Sequence, residues 1–331
     1  MTWRTAEWSA AMLPPHVEST VVTVGTFDGV HIGHLDVLSR LAARAKETGR
    51  SSLLLTFERH PLELLKPAAA PLLLTTRDEK LAAIATTGVD YVAVLPFTRE
   101  LADHSAEQFV DLLLRDHFRM AELLIGHDHG FGRGRAGDVD TLRELGAERG
   151  FAVDVVAPVE TSDGQTVSST RIRAAVAAGD LETAESALGR RYSVSGRVVA
   201  GEARGRALGF PTINVLPESE RKLLPPDGVY AVHVETPRGA FGGMLNLGGR
   251  PTFGDERRTI EAHLFGASGD FYGCVVQVGF VARLRDTKRF DSVAELMAQL
   301  ADDEKGARRA LTLLTESGKL KGSMHFPPST P

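Results

Sequence analysis

The stretch Val21–His34, VVTVGTFDGVHIGH, decides how the chain is read. Val21, Val22 and Val24 form a β-branched run that predicts a buried strand, and Gly25 ends it. Asp28-Gly29 signals a turn. After His31-Ile32-Gly33-His34, the apolar residues Leu35, Leu38, Leu41, Ala42 and Ala45 recur at helical spacing. Glycines and histidines therefore sit where a first strand hands over to a first helix. In an open α/β sheet that is where phosphates bind.

Outward from this corner the pattern repeats. Strands are predicted over 51–57, 89–97, 121–126 and 151–159. Helices are predicted over 74–88, 105–118, 139–150 and 169–189, the last broken near Gly179-Asp180. Ser105 and Gln108 stand at capping-box spacing. This alternation predicts a doubly wound parallel sheet. After Gly189 it stops. Short β-rich runs over 192–201, 228–236, 240–248, 258–266 and 272–284 have no helices between them and predict an antiparallel barrel. A last helix, Val293–Glu316, puts Leu296, Leu300, Ala307, Leu311 and Leu314 on one stripe. The expected architecture is α/β plus β, with domains over 1–187 and 188–331.

Composition narrows the function. A net charge of −5 argues against a general nucleic-acid partner. The single cysteine, Cys274, excludes an intramolecular disulfide framework and a Cys-rich zinc site. No apolar run reaches the roughly 18 residues a membrane span needs. The first residues lack a basic segment followed by an apolar core. A cytoplasmic protein without membrane or nucleic-acid partners is expected, either monomeric or weakly self-associating.

Histidines at i and i+3 around a glycine suit a phosphate better than a metal. The glycine lets the backbone approach a ligand, the helix start supplies N–H donors, and imidazoles donate to oxygens that gain charge as phosphorus is attacked. On its own the pattern also fits a capped turn with two exposed histidines. A zinc pair of His31 and His34 would need further ligands that the sequence does not space nearby.

A second constellation lies in VVAGEARGRALGFPTINV, 198–215. It is not a P-loop, because no Gly-Lys-Ser/Thr follows the glycines. Gly201, Gly205 and Gly209 would let a flap lie over phosphates, with Arg204 and Arg206 to neutralise them. Thr212 and Asn214, two apart on a strand, offer hard oxygens to one Mg²⁺. A plain glycine-rich hairpin fits this stretch as well.

Several motifs then point one way. GTFDGVHIGH resembles the ATP-binding signature of the bacterial bifunctional riboflavin kinase/FMN adenylyltransferase (FAD synthetase) family. TFERHP (56–61), LIGHDHGFGRGRAGD (124–138) and VSSTRIR (167–173) resemble further segments of it in the same order. In the second half, GFPTIN (209–214), NLGGRPTFG (246–254), TIEAHLFG (259–266) and LRDTKRFDS (284–292) resemble its riboflavin kinase segments. Three departures are local. Glu58-Arg59 replaces Asp-Pro, His129 stands where an aromatic is common, and Ile213 replaces Ala.

The resemblance implies a Rossmann-like nucleotidyltransferase domain with a parallel sheet, followed by a riboflavin-kinase-type barrel with a C-terminal helix. It implies ATP and Mg²⁺, with riboflavin as substrate, FMN as product and then substrate, and FAD as final product. In the first domain ATP would lie against Gly25, Thr26, Phe27, Asp28, Gly33 and the His31/His34 corner. Ser168, Ser169, Thr170 and Arg171 would meet the leaving pyrophosphate, and His60, Pro61, Asp128 and Phe131 the FMN. In the second domain Gly201, Gly205, Arg206, Thr212 and Asn246 would bind ATP, and Thr212 and Asn214 the metal. Arg285, Phe290 and Ser292 would bind the flavin, and Glu261 would be the general base. A survivor with one activity, or a non-catalytic flavin-binding regulator, would be expected to lack one of these signatures.

Overall fold

A computed structural model of the chain describes residues 5–6, 13–127, 130–132, 137–201, 205, 208–249 and 258–316, with side chains for all of these except 5, 6, 315 and 316. The chain divides into two compact units, 1–71 with 77–168 and 72–76 with 169–331.

The first unit runs β1 (Thr5–Ala6), β2 (Thr20–Val24), α1 (Ile32–Thr48), β3 (Ser51–Phe57), α2 (Pro61–Leu65), α3 (Arg77–Ile84), β4 (Tyr91–Leu95), α4 (Arg99–Asp103), α5 (Ala106–Gln108), β5 (Met120–Gly126), α6 (Val139–Arg149) and β6 (Ala152–Val156). The sheet order is β1-β4-β3-β2-β5-β6, with every neighbouring pair parallel. From β2 the chain winds through β3 to β4, then returns to lay β5 and β6 on the other side. The β2/β5 junction is thus the topological switch point, where doubly wound sheets open a crevice at the strand ends. All five residues of β2 are buried, as a central parallel strand requires. Val22 and Val24 share one core with Leu53, Leu55, Leu113 and Ile125.

Two helices differ from the sequence reading. That expected over 74–88 forms only over Arg77–Ile84. Leu72–Thr76 instead belong to the second unit. There Leu73 N–H donates to Arg221 O (2.8 Å), Leu223 N–H to Leu73 O (2.8 Å) and the buried Lys222 Nζ to Leu74 O (2.6 Å). The helix expected over 105–118 begins as the capped α5 and then widens to a π-helix over Phe109–His117, where Phe118 N–H reaches back five residues to Leu113 O (3.0 Å).

The second unit opens with α7 (Ser169–Ala178) and α8 (Leu181–Leu188). Gly179, at φ 77°, makes the break between them, and Asp180 caps α8 by accepting from Thr183 N–H (3.0 Å). The strands β7 (Ser193–Val199), β8 (Ile213–Pro217), β9 (Gly228–Thr236), β10 (Gly239–Gly249), β11 (Arg258–Leu264) and β12 (Val275–Arg285) follow, then α9 (Val293–Glu316). They close an antiparallel barrel in the order β10-β11-β8-β7-β12-β9. Five of the six strands match predicted β runs; β8 starts within the Pro-Thr-x-Asn stretch, taking in Asn214 but not Thr212, and continues to Pro217. Tyr230, Val232, Leu245, Leu247 and Phe280 are buried inside the barrel. On the outer face, the cross-strand pair Ala231 and Met244 packs with Ala307 of α9.

Candidate active sites

In the first unit the corner after β2 is built as a strained, buried loop. Phe27 and Val30 hold φ at 48° and 40°, a region that costs a β-branched residue about 1–3 kcal/mol. Both side chains are buried, Val30 completely, and Val30 N–H closes the turn onto Phe27 O (3.2 Å). Packing thus over-determines a conformation the residues would not choose alone. His31 is the N-cap of α1, its Nδ1 accepting from His34 N–H (3.3 Å). With Nδ1 accepting, the neutral ring carries its proton on Nε2. The His31 and His34 rings stack 3.6 Å apart at 14°, and the Phe27 ring lies 4.7 Å from His34. Gly33 permits this stack, since a Cβ there would come within 3.3 Å of the His31 ring. The N–H groups of Ile32 and Gly33 lie ahead of the first intrahelical bond, from Leu35 to His31 O (2.9 Å), and lend this helix end its positive character.

The TFERHP segment ends β3 and starts α2. His60 caps α2 through Nδ1, which accepts from Leu62 N–H (3.2 Å), while Glu63 accepts from His60 N–H (3.2 Å) and Pro61 fills the first helical position. The turn therefore forms with Glu58-Arg59 in place of Asp-Pro. Phe131 is buried in the core, its ring 4.7 Å from Phe109. Asp128 and His129 lie outside the described residues. Ser168 ends the first unit, and Ser169, Thr170 and Arg171 form the first turn of α7 in the second.

One residue of this unit escaped the sequence reading. Lys80 of α3 is buried, and its Nζ donates to Thr26 O (3.3 Å), Thr56 Oγ1 (3.2 Å) and Phe57 O (2.7 Å). Burial pushes its pKa down to about 8, against the opposing pull of Asp28 and with a small push from Arg77. The available signal was its position. Lys80 stands at i, i+3, i+4 spacing with the buried Ala83 and Ile84 of α3, beside the buried Glu79.

In the barrel, register does the assembly. Glu261 of β11 pairs with Asn214 of β8 on one side and with Asn246 of β10 on the other. Asn246 pairs in turn with Val229 of β9, and Val229 with Arg285 of β12. Directly opposed residues share a face. This row is two residues along from the Ala231–Met244 row under α9, so Asn214, Glu261 and Asn246 all face outward. Arg285 is three strands from Glu261 whichever way round the closed barrel is counted.

Asn214 is buried, and among the described residues its Oδ1 has no hydrogen-bond partner. A Cβ at Gly201 would collide with the Asn214 amide, so a glycine suits the close approach of the backbone at 201 to that amide. Thr212 is exposed, one residue ahead of β8. His263, two residues after Glu261, holds the turn before it: its Nδ1 donates to Pro211 O (2.8 Å) and its ring meets Phe210 edge-on at 5.4 Å. Gly205 O accepts from Phe210 N–H (2.9 Å). Arg204 and Arg206 lie outside the described residues, as do 250–257. Arg285 is gripped by the buried Asp303 of α9 through two bonds (2.8 and 2.6 Å), and its guanidinium lies 5.9 Å from the Phe290 ring. Ser292 Oγ caps α9 by accepting from Glu295 N–H (3.2 Å).

An α/β unit with its strained loop at the switch point, joined in one chain to a closed barrel with a polar outer row, defines a nucleotide-using transferase of two catalytic domains. Residues 13–171 match the FAD synthetase family and residues 188–311 the riboflavin kinase family. The bifunctional riboflavin kinase/FMN adenylyltransferase of Escherichia coli K12 is 41% identical over 88% of this chain and 92% of its own length. That of Pseudomonas fluorescens is 40% identical over 89% and 94%. A solved structure described as a macrolide-efflux protein from Streptococcus pneumoniae is 32% identical, with a TM-score of 0.78 over 90% of this chain and 95% of that one. Among the described residues no helix is long and apolar enough to cross a membrane.

The chain belongs to the bifunctional riboflavin kinase/FMN adenylyltransferase family. It is a transferase of FMN and FAD biosynthesis with kinase and nucleotidyltransferase domains, and riboflavin, FMN and ATP are its substrates.

Proposed function

We propose that the two activities use the two sets of residues described above, in a cytoplasmic enzyme whose functional boundary falls at 187/188. In the barrel, Glu261 accepts the proton of the ribityl 5′-hydroxyl as its oxygen attacks the γ-phosphorus of ATP. FMN forms and ADP leaves. The observation that carries this reading is the register of Asn214, Glu261 and Asn246 in one row. It sets a carboxylate between two amides on one face of the barrel.

The same row fits a hard cation. A buried amide oxygen at Asn214, without a hydrogen-bond partner among the described residues, and a hydroxyl at Thr212 are the donors that Mg²⁺ takes when phosphates complete its shell. These two hard oxygens are the proposed protein ligands. Mg²⁺ would neutralise charge on the phosphates of ATP. Asn246, Gly201, Gly205 and Arg206 hold the nucleotide. Arg285, held by Asp303, stands with Phe290 and Ser292 at the flavin end.

In the α/β domain, an FMN phosphate oxygen attacks the α-phosphorus of a second ATP. FAD forms and pyrophosphate leaves. Gly25, Thr26, Phe27 and Asp28 carry the nucleotide, and the close approach at Gly33 keeps His31 and His34 stacked. His31 donates through Nε2 to oxygens that gain charge in the transition state. His60, Pro61, Asp128 and Phe131 form the FMN side. Ser168, Ser169, Thr170 and Arg171 meet the pyrophosphate with hydroxyls, N–H groups and a planar guanidinium fork.

The test is a time course. Purified protein is incubated with riboflavin, ATP and MgCl₂, and riboflavin, FMN and FAD are separated by chromatography. FMN should rise first and FAD follow. FMN without FAD, or no turnover, contradicts the two-site reading.

A further inference from the structure

We infer that Lys80 is a positioning residue for adenylyl transfer: it pins the ATP loop to the FMN-side segment and sets the distance between the two substrates. The observation is a bridge. One ammonium donates to Thr26 O, in the loop that follows β2, and to Thr56 Oγ1 and Phe57 O, at the end of β3. Thr56 Oγ1 also donates to Thr26 O (3.1 Å), so the two strand ends share one hydrogen-bonded knot. Three residues on from Phe57, His60 opens the FMN-side turn. One residue on from Thr26, Phe27 enters the strained part of the ATP loop.

The placement is costly to the fold. A lysine on the buried stripe of α3 forgoes hydration, and the two carbonyls it satisfies could have been turned elsewhere by a different loop. An apolar side chain would complete the stripe without desolvating a charge. What the ammonium supplies is a fixed separation between two substrate-bearing segments, and adenylyl transfer depends steeply on such separations. The charged groups acting on Lys80 are Asp28, on the ATP loop, and Arg77, on α3. Burial lowers the amine enough that it loses its proton near pH 8. The knot then keeps fewer donors than acceptors. Adenylyl transfer should therefore weaken as pH rises through about 8.

The inference rests on the reading of Gly25–Asp28 as the ATP loop, and the test separates the two. Full-length wild type, Lys80→Met, Lys80→Arg and His31→Asn are assayed for FAD formation from added FMN and ATP, and for FMN formation from riboflavin and ATP, between pH 6.5 and 9.5. Lys80→Met should lose about tenfold or more of its kcat for FAD formation, with FMN formation within twofold of wild type as the control for folding. Wild-type FAD formation should show an alkaline limb near pH 8. Lys80→Arg, which keeps donors that do not titrate, should retain more activity than Lys80→Met and lack that limb. FAD formation unchanged in Lys80→Met, or an alkaline limb that persists in Lys80→Arg, overturns the inference. If His31→Asn leaves FAD formation intact, it is the reading of the corner that fails.

Discussion

Glu261 of β11 lies directly opposite Asn214 of β8 in the barrel, and Asn214 presents a buried amide oxygen that no group among the described residues satisfies. A carboxylate and an unsatisfied oxygen acceptor side by side make poor structural partners and a good cation-and-base pair. Asn214→Ala should therefore lower kcat for FMN formation by about 10²–10³, the scale of losing one electrostatic contact to a transition state. FAD formation from added FMN should stay within twofold. Steady-state assays with each substrate pair check this.

Gly201→Ala tests the same pocket from the flap side. Its Cβ would collide with the Asn214 amide, so either the flap lifts or the amide turns. The expected result is a rise of about tenfold in the kinase KM for ATP, read from initial rates of FMN formation against ATP concentration. Adenylyl transfer is the internal control.

At the first corner the cap and the chemistry can be separated. Asn is as good an N-cap as any residue, whereas Ala forfeits about 1 kcal/mol. His31→Asn should keep the helix start and lose the Nε2 donor. FAD formation should fall by about 10²–10³ while FMN accumulates. His31→Ala should lose activity to the same extent and also melt a few degrees earlier than His31→Asn. Calorimetry beside chromatography reads both.

Lys80 makes stability depend on pH with a definite sign. Its folded pKa, about 8, lies below that of an unfolded lysine. Between about pH 8 and 10.5 the unfolded chain therefore holds a proton that the folded chain has released, and stability rises with pH in that window. Below about pH 8 both states are protonated and the burial cost is present in full, about 3 kcal/mol at 1.36 kcal/mol per pKa unit. Relative to Lys80→Met, the wild type should gain stability from pH 8 to 10, measured by urea unfolding at each pH. A difference that does not change with pH would contradict this.

How much of this was legible in the sequence follows from what each feature depends on. The corner at Val21–His34 was readable because a strand, a turn and a helix start each leave local marks, and its glycine and histidines stand within a few residues. The barrel is readable as five β runs and as a short strand through Asn214, which starts one residue later than Thr212 suggests. Register was not readable. Period-two alternation says which residues share a face of one strand, but nothing local says that Asn214 and Asn246 flank Glu261 across 47 and 15 residues of chain. Lys80 gives no local sign of burial because a lysine on a short helix looks solvated, and a carboxylate such as Asp303 on a long polar helix looks the same until Arg285 grips it. Residues 74–76 carry a helical pattern, whereas long-range pairing of Leu73 and Leu74 with Arg221–Leu223 draws them into the second unit.

The grip of Asp303 on Arg285 gives a further expectation. Asp303 is buried and Arg285 largely so, and breaking such a pair from one side leaves an uncompensated charge. Asp303→Ala should free the guanidinium and raise the KM for riboflavin by about tenfold or more, with little change in the KM for ATP. Equal changes in both would mean that Arg285 is not at the flavin end.

Two separate sets of residues are proposed for the two steps. Glu261→Ala in the full-length enzyme tests this most directly, with FMN formation from riboflavin and FAD formation from added FMN followed on one chromatogram. FMN formation should be abolished while FAD formation continues at the wild-type rate. Equal loss of both activities, or survival of FMN formation, would contradict it.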